Sequence, residues 1–165
     1  MNRVEIDLNQ FAKDFAEFVN ISHGIHATVN LVQFTDENWN QVMAATGPYR
    51  ADQEQQDLRL GMTLAIKQPV RDEEIPDAIQ VLLPSLAEAM RTSDVVVALN
   101  MDELVRNKLA ATGDVNKTLN ELVNSIIIMY EKGLTLLGHK NLNPVADQKA
   151  FLEQLGDDGY SRYIT

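Results

Sequence analysis

Residues 114–138 read DVNKTLNELVNSIIIMYEKGLTLLG, and the reading of this stretch decides the fold. Leu119, Leu122, Val123, Ile126, Ile127, Tyr130, Leu134 and Leu137 recur at steps of three and four residues. That spacing draws one apolar stripe along an α-helix. Ile128 and Met129 widen the stripe in the middle, which predicts burial on more than one side. Thr118 with Glu121 has the form of a capping box, and Asp114 is an alternative N-cap one turn earlier. Gly138 supplies the stop, while Gly133 is an interior weakness of roughly 1 kcal/mol against alanine. A helix so long and apolar requires a surface to pack on.

Working outward, Leu8, Phe11, Ala12, Phe15, Phe18 and Val19 make a second amphipathic helix, opened by Asp7 with Gln10. Its three phenylalanines at helical spacing are core-forming, since each ring hides a large apolar area. From Ile25 to Phe34 the period changes to two, as for a half-buried strand. Thr35-Asp36-Glu37 opens a short helix that Gly47-Pro48 stops. Leu58, Leu60, Met62, Leu64 and Ile66 alternate with smaller or polar residues, which places every large side chain on one face of a strand over 58–67. A helix is predicted from Asp72, kinked or divided at Pro84. Residues 94–99, DVVVAL, fit a buried strand, with a buried helix as the alternative. Asn100 and Glu103 cap a helix through Ala111, and a last helix spans Ala146 to Leu155. The expected architecture is a helix-rich α+β single domain over residues 1–156, a two- or three-stranded sheet packed on the long helix, with 157–165 as a C-terminal tail. An all-α bundle is the alternative. One helix layer on so small a sheet leaves the other face open, which predicts a symmetric homodimer.

The composition narrows the chemistry. There is no cysteine among 165 residues, so thiolate nucleophiles and cysteine-based metal sites are excluded. The net charge of −10 and the lack of a basic stripe argue against nucleic acid. No apolar run approaches the roughly 20 residues that cross a bilayer, and the opening stretch carries charges where a signal peptide is apolar. The expectation is a soluble, cytoplasmic protein. No glycine-rich phosphate cradle and no nucleophile elbow occur. His23 and His26 stand three apart, but Gly24 and the start of a strand between them predict divergent rings. Gly156 to Gly159 resembles a fragment of a calcium loop without its remaining ligands. Tyr160 and Tyr163 are better suited to pin the C-terminus to a neighbouring surface.

The acidic excess is concentrated between Asp52 and Asp77. Asp72, Glu73, Glu74 and Asp77 therefore define an acidic face for a basic partner, in a non-enzymatic binding or accessory protein with no cofactor. The alternative function is a magnesium-dependent hydrolase of a small phosphorylated compound. In that case Glu73 and Asp77, paired on one helix face, would converge with Glu88, Asp94 and Asp102 on the ion.

Overall fold

The apolar run expected over residues 94–99 is a strand, shifted by one residue to 95–100, and it is the centre of the molecule. In the computed structural model, which describes residues 7–51, 61–68, 70–100 and 115–163, strand β3 (Val95–Asn100) is buried along its whole length. Strand β1 (Ala27–Val32) lies parallel to it, from Ala27 opposite Val95 to Val32 opposite Asn100. Strand β2 (Gly61–Ala65) lies antiparallel on the other side, from Gly61 opposite Leu99 to Ala65 opposite Val95. The order is thus β1-β3-β2. A β-branched run without polar alternation suits a strand covered on both faces, and both faces of β3 are covered.

Six α-helices among the described residues form two layers around this sheet. Val95, Val97 and Leu99, with Ala27 and Val29, face α1 (Leu8–His23), α5 (Val115–Leu136) and α6 (Pro144–Leu155). Val96 and Ala98, with Val32, Met62 and Leu64, face α2 (Asp36–Thr46), α3 (Asp77–Leu82) and α4 (Pro84–Thr92). The fold is a helix-rich α+β domain with the long helix on the sheet, as the sequence predicts. The open sheet face is not there. The apolar side chains of α2 to α4 fill it, because Ile79, Leu86 and Met90 form a stripe as complete as that of α5.

Local signals set most boundaries. Asp7 accepts from the Gln10 N–H at 3.1 Å, and Gly24 ends α1 at φ 65°. Thr35 and Asn38 close a reciprocal capping box on α2. Pro84 divides the predicted helix in two, standing in the first turn of α4. That helix does not begin at Asp72: residues Asp72–Glu74 form a separate 3₁₀ turn, and Ile75 and Pro76 are extended before α3. Proline at 76 disfavours the helical region for Ile75, so the two pieces cannot join. α5 begins at Val115, a turn before the capping box expected at Thr118. Asp114 and the helix expected from Asn100 to Ala111 lie outside the described residues. So do residues 58–60 of the predicted second strand. α5 buries one side only, for Ile128 is exposed. α6 starts at Pro144, with Asn143 as its cap accepting from the Ala146 N–H at 3.1 Å. Residues 157–163 are no free tail. The turn Gly159–Tyr163 lays Tyr160 and Tyr163 into the aromatic core, and the Asp7 N–H donates to the Tyr163 carbonyl at 2.7 Å.

Candidate functional site

The acids of the 3₁₀ turn are surface groups tied together by two arginines. Arg71 Nε lies 3.0 Å from Glu74 Oε1 and 3.9 Å from Glu73 Oε2. Arg91 reaches Glu88 at 3.0 Å and Asp72 at 3.5 Å. The Arg71 hydrogen bond, foremost, holds the Glu74 carboxyl below its usual range, and the Tyr49 hydroxyl adds a donor at 3.3 Å. Burial, then Glu74, pushes the Tyr49 phenol up. Gln80 Nε2 donates to the carbonyls of Asp72 (3.2 Å) and Ile75 (3.0 Å), which fastens the turn to α3. Asp77 opens α3, exposed and without an ion pair among the described residues. One turn on from Asp77, the same helix presents Val81 and Leu82, 78% and 50% exposed. The acidic turn and Asp77 are thus both joined to α3, which also carries an apolar spot the sequence reading passed over.

The carboxylates of the magnesium alternative are dispersed. Glu73 and Asp77 share no helix, because the chain is extended at Ile75 and Pro76 between them. Glu88 is engaged by Arg91, and Asp94 accepts the His26 N–H at 3.0 Å at the edge of the sheet. Asp102 lies outside the described residues. No group of three His, Asp or Glu able to hold a metal ion forms among those described. The histidines diverge as expected: His26 Nδ1 meets the Thr92 carbonyl, while His23 Nε2 lies 3.2 Å from Asp147 Oδ2.

That last contact belongs to a cluster the sequence reading missed. Glu131 of α5 faces Asp147 of α6, and its Oε1 is buried without a partner while both groups are ionised. Two carboxylates hold together only if one keeps a proton and donates it. Burial, and then Asp147, push the Glu131 carboxyl up to about 7. The signal was present in the sequence, since Glu131 stands four after Ile127 and three before Leu134, on the buried stripe. The cavity between these groups, lined also by Phe18, Val19 and Tyr130, is about 10 Å³. It admits one water at most and no substrate, so the cluster is a structural joint between α1, α5 and α6. Its effect on stability has a definite sign. A carboxyl raised in the folded state favours folding fully below its unfolded value, and that contribution is lost as pH climbs from about 4.5 to about 7. Glu131→Gln keeps a donor and removes the titration. It is expected to raise stability near pH 7 by about 1 kcal/mol after discounting for solvent screening, and to flatten the profile between those values. Urea unfolding across the pH range checks this. A variant as pH-dependent as the parent contradicts it.

Compared with protein-family models, curated proteins and solved structures, the chain matches none, and its function is inferred from its own residues and geometry.

Proposed function

We propose that this is a non-enzymatic binding protein whose working surface is the acidic 3₁₀ turn together with the outer side of α3. The observation that carries the reading is the exposure of Val81 and Leu82 on the helix that Asp77 opens and to which Gln80 fastens the acidic turn. Acids alone are explained by solubility, and a single exposed apolar residue is ordinary. An adjacent exposed pair on the same short helix as an exposed acid joins the two ingredients of an interface, an apolar contact and a charge that orients it. The complementary partner is a protein segment with apolar side chains flanked by lysine or arginine. Its charges speed and orient the encounter, and burial of Val81 and Leu82 holds it. Arg71 and Arg91 do not cancel the field, since Asp72, Glu73, Glu74, Asp77 and Glu88 outnumber them.

Two variants used as bait in a native extract separate the parts. Replacing Asp72, Glu73, Glu74 and Asp77 by their amides is expected to weaken capture several-fold and to reduce its dependence on salt. Val81→Ser with Leu82→Ser is expected to weaken capture while leaving the salt dependence in place. Retention of the same proteins by both variants and the parent would remove this surface from the account. A cytoplasmic location belongs to the same proposal and is tested by cell fractionation. Self-association as a symmetric dimer, no longer supported by an open sheet face, needs another seam. The magnesium-hydrolase alternative is favoured by no observation among the described residues.

A further inference from the structure

The geometry points to a second copy of this chain on the open edge of β1, paired antiparallel about a twofold axis at Val29, so that the two sheets run on as one. This inference is independent of the acidic surface of α3.

Among the described residues, strand β1 pairs with β3 on one side only. The His26 carbonyl accepts from Val95, so by the alternation of a strand Thr28, Asn30 and Val32 turn their backbone groups toward β3. Ala27, Val29 and Leu31 turn theirs outward. The N–H of the first is satisfied within the chain, donating to Asn20 Oδ1 at 2.6 Å, and its carbonyl is left to the edge. Those of Val29 and Leu31 meet no partner among the described residues. They line a groove of about 510 Å³ between α1 and the edge of the sheet. An edge left in this state takes up another strand.

Three features select a second copy as that strand. First, the register closes. With Val29 opposite the partner subunit's Val29, both outward pairs of groups bond reciprocally, and Leu31 N–H meets the carbonyl of the partner's Ala27. The Asn20 cap then ends the ladder. Second, the same register sets Asn30 opposite Thr28 of the partner subunit, a non-hydrogen-bonded pair about 4.5 Å apart at Cα. Asn30 and Thr28 are both polar and uncharged, so this pair sets no charges against each other across the seam. Third, the charges are self-complementary. From Ala27 to Val29 is about 6.6 Å at ~3.3 Å per residue, and α1, returning over β1 from the Asn20 cap, covers that in four to five residues at ~1.5 Å each. The dyad is thus level with Phe15 and Ala16, midway between the exposed Lys13 and Glu17. Lys13 of each copy then faces the partner's Glu17, and Ala16 at the centre adds no bulk.

Sedimentation at micromolar concentration in about 0.15 M salt, where repulsion between chains of charge −10 is screened, is expected to show a species of twice 18.5 kDa. Lys13→Glu and Glu17→Lys each set like charges across the seam and are expected to weaken association roughly tenfold. The double reversal is expected to restore it. Both side chains are exposed, so the fold is not at risk. Amide exchange reads the seam separately: Val29 and Leu31 are expected to be protected in the dimer and to exchange rapidly on dilution. A monomer at these concentrations overturns the inference, as does a dimer indifferent to the single reversals or one that the double reversal fails to restore. Equal exchange of Val29 and Leu31 in dimer and monomer overturns it too. So does a monomer in which they become protected only when another protein is added.

Discussion

Phe15→Ala is expected to lower the free energy of unfolding by about 3–5 kcal/mol, the range for truncating a large aromatic in a core that cannot collapse around the loss. Phe15 is fully buried, with ring centroids at 5.1 Å from Phe151, 5.7 Å from Tyr130, and 6.2 Å from both Phe11 and Phe18. Its ring pairs reach aromatics on α1, α5 and α6, and the Phe151 contact is edge-on, the favourable arrangement for aromatic pairs. The backbone on three sides is fixed by helices already packed on the sheet, so the cavity stays. Against a total of roughly 5–15 kcal/mol for a domain, the loss is a large fraction. Urea unfolding measures it, and a cost below about 1 kcal/mol would mean that the helices do not converge as described.

Gly133→Leu is the second large effect, expected at about 3 kcal/mol, the upper end for overpacking. A β-carbon at Gly133 would sit 3.0 Å from Val95 Cγ1 and 3.1 Å from Thr63 Cγ2. Here α5 lies close on the sheet, and a leucine finds no room between helix and strands. Gly133→Ala is expected to lie near zero, since a gain in helix propensity of roughly 1 kcal/mol opposes the crowding of one carbon. Thermal unfolding of the two variants side by side separates packing from propensity. If leucine were tolerated as well as alanine, the close approach of α5 would be refuted.

Gly133 also shows how far the sequence could be read. As a sequence feature it is a flaw in a good helix, and only the sheet beneath it gives it a purpose. The periodic elements were legible because period and face are local properties: α1, β1, α2 and α5 lie where apolar spacing puts them. Residues 94–99 fit strand or helix equally, because a short unbroken apolar run suits either element until its neighbours are known, and the strand forms over 95–100. The second helix layer was legible in Ile79, Leu86 and Met90, yet its consequence, the closing of the other sheet face, required the topology. Pro76 carried the information that separates Asp72–Glu74 from α3, and Asn143-Pro144 carried the true start of α6.

For the site, the acids could be grouped by sequence distance, but not their pairing with Arg71 and Arg91, of which Arg91 lies on α4. The exposure of Val81 and Leu82 could not be foreseen either, since both continue an apolar pattern and only packing decides which members of it face water. Glu131 and Asp147 lie sixteen residues apart on two helices, and nothing local joins them.

The most direct measurement of the proposed function is site-specific photo-crosslinking in the cell. A photoreactive residue in place of Val81 is compared with the same residue at Ile21 and at Val145, which are 75% exposed each but lie on α1 and α6. The account predicts adducts at position 81 to a protein segment rich in lysine or arginine, lost when Asp72, Glu73, Glu74 and Asp77 are changed to their amides, and absent from the other two positions. No adduct at 81, or equal adducts at all three positions, would contradict it.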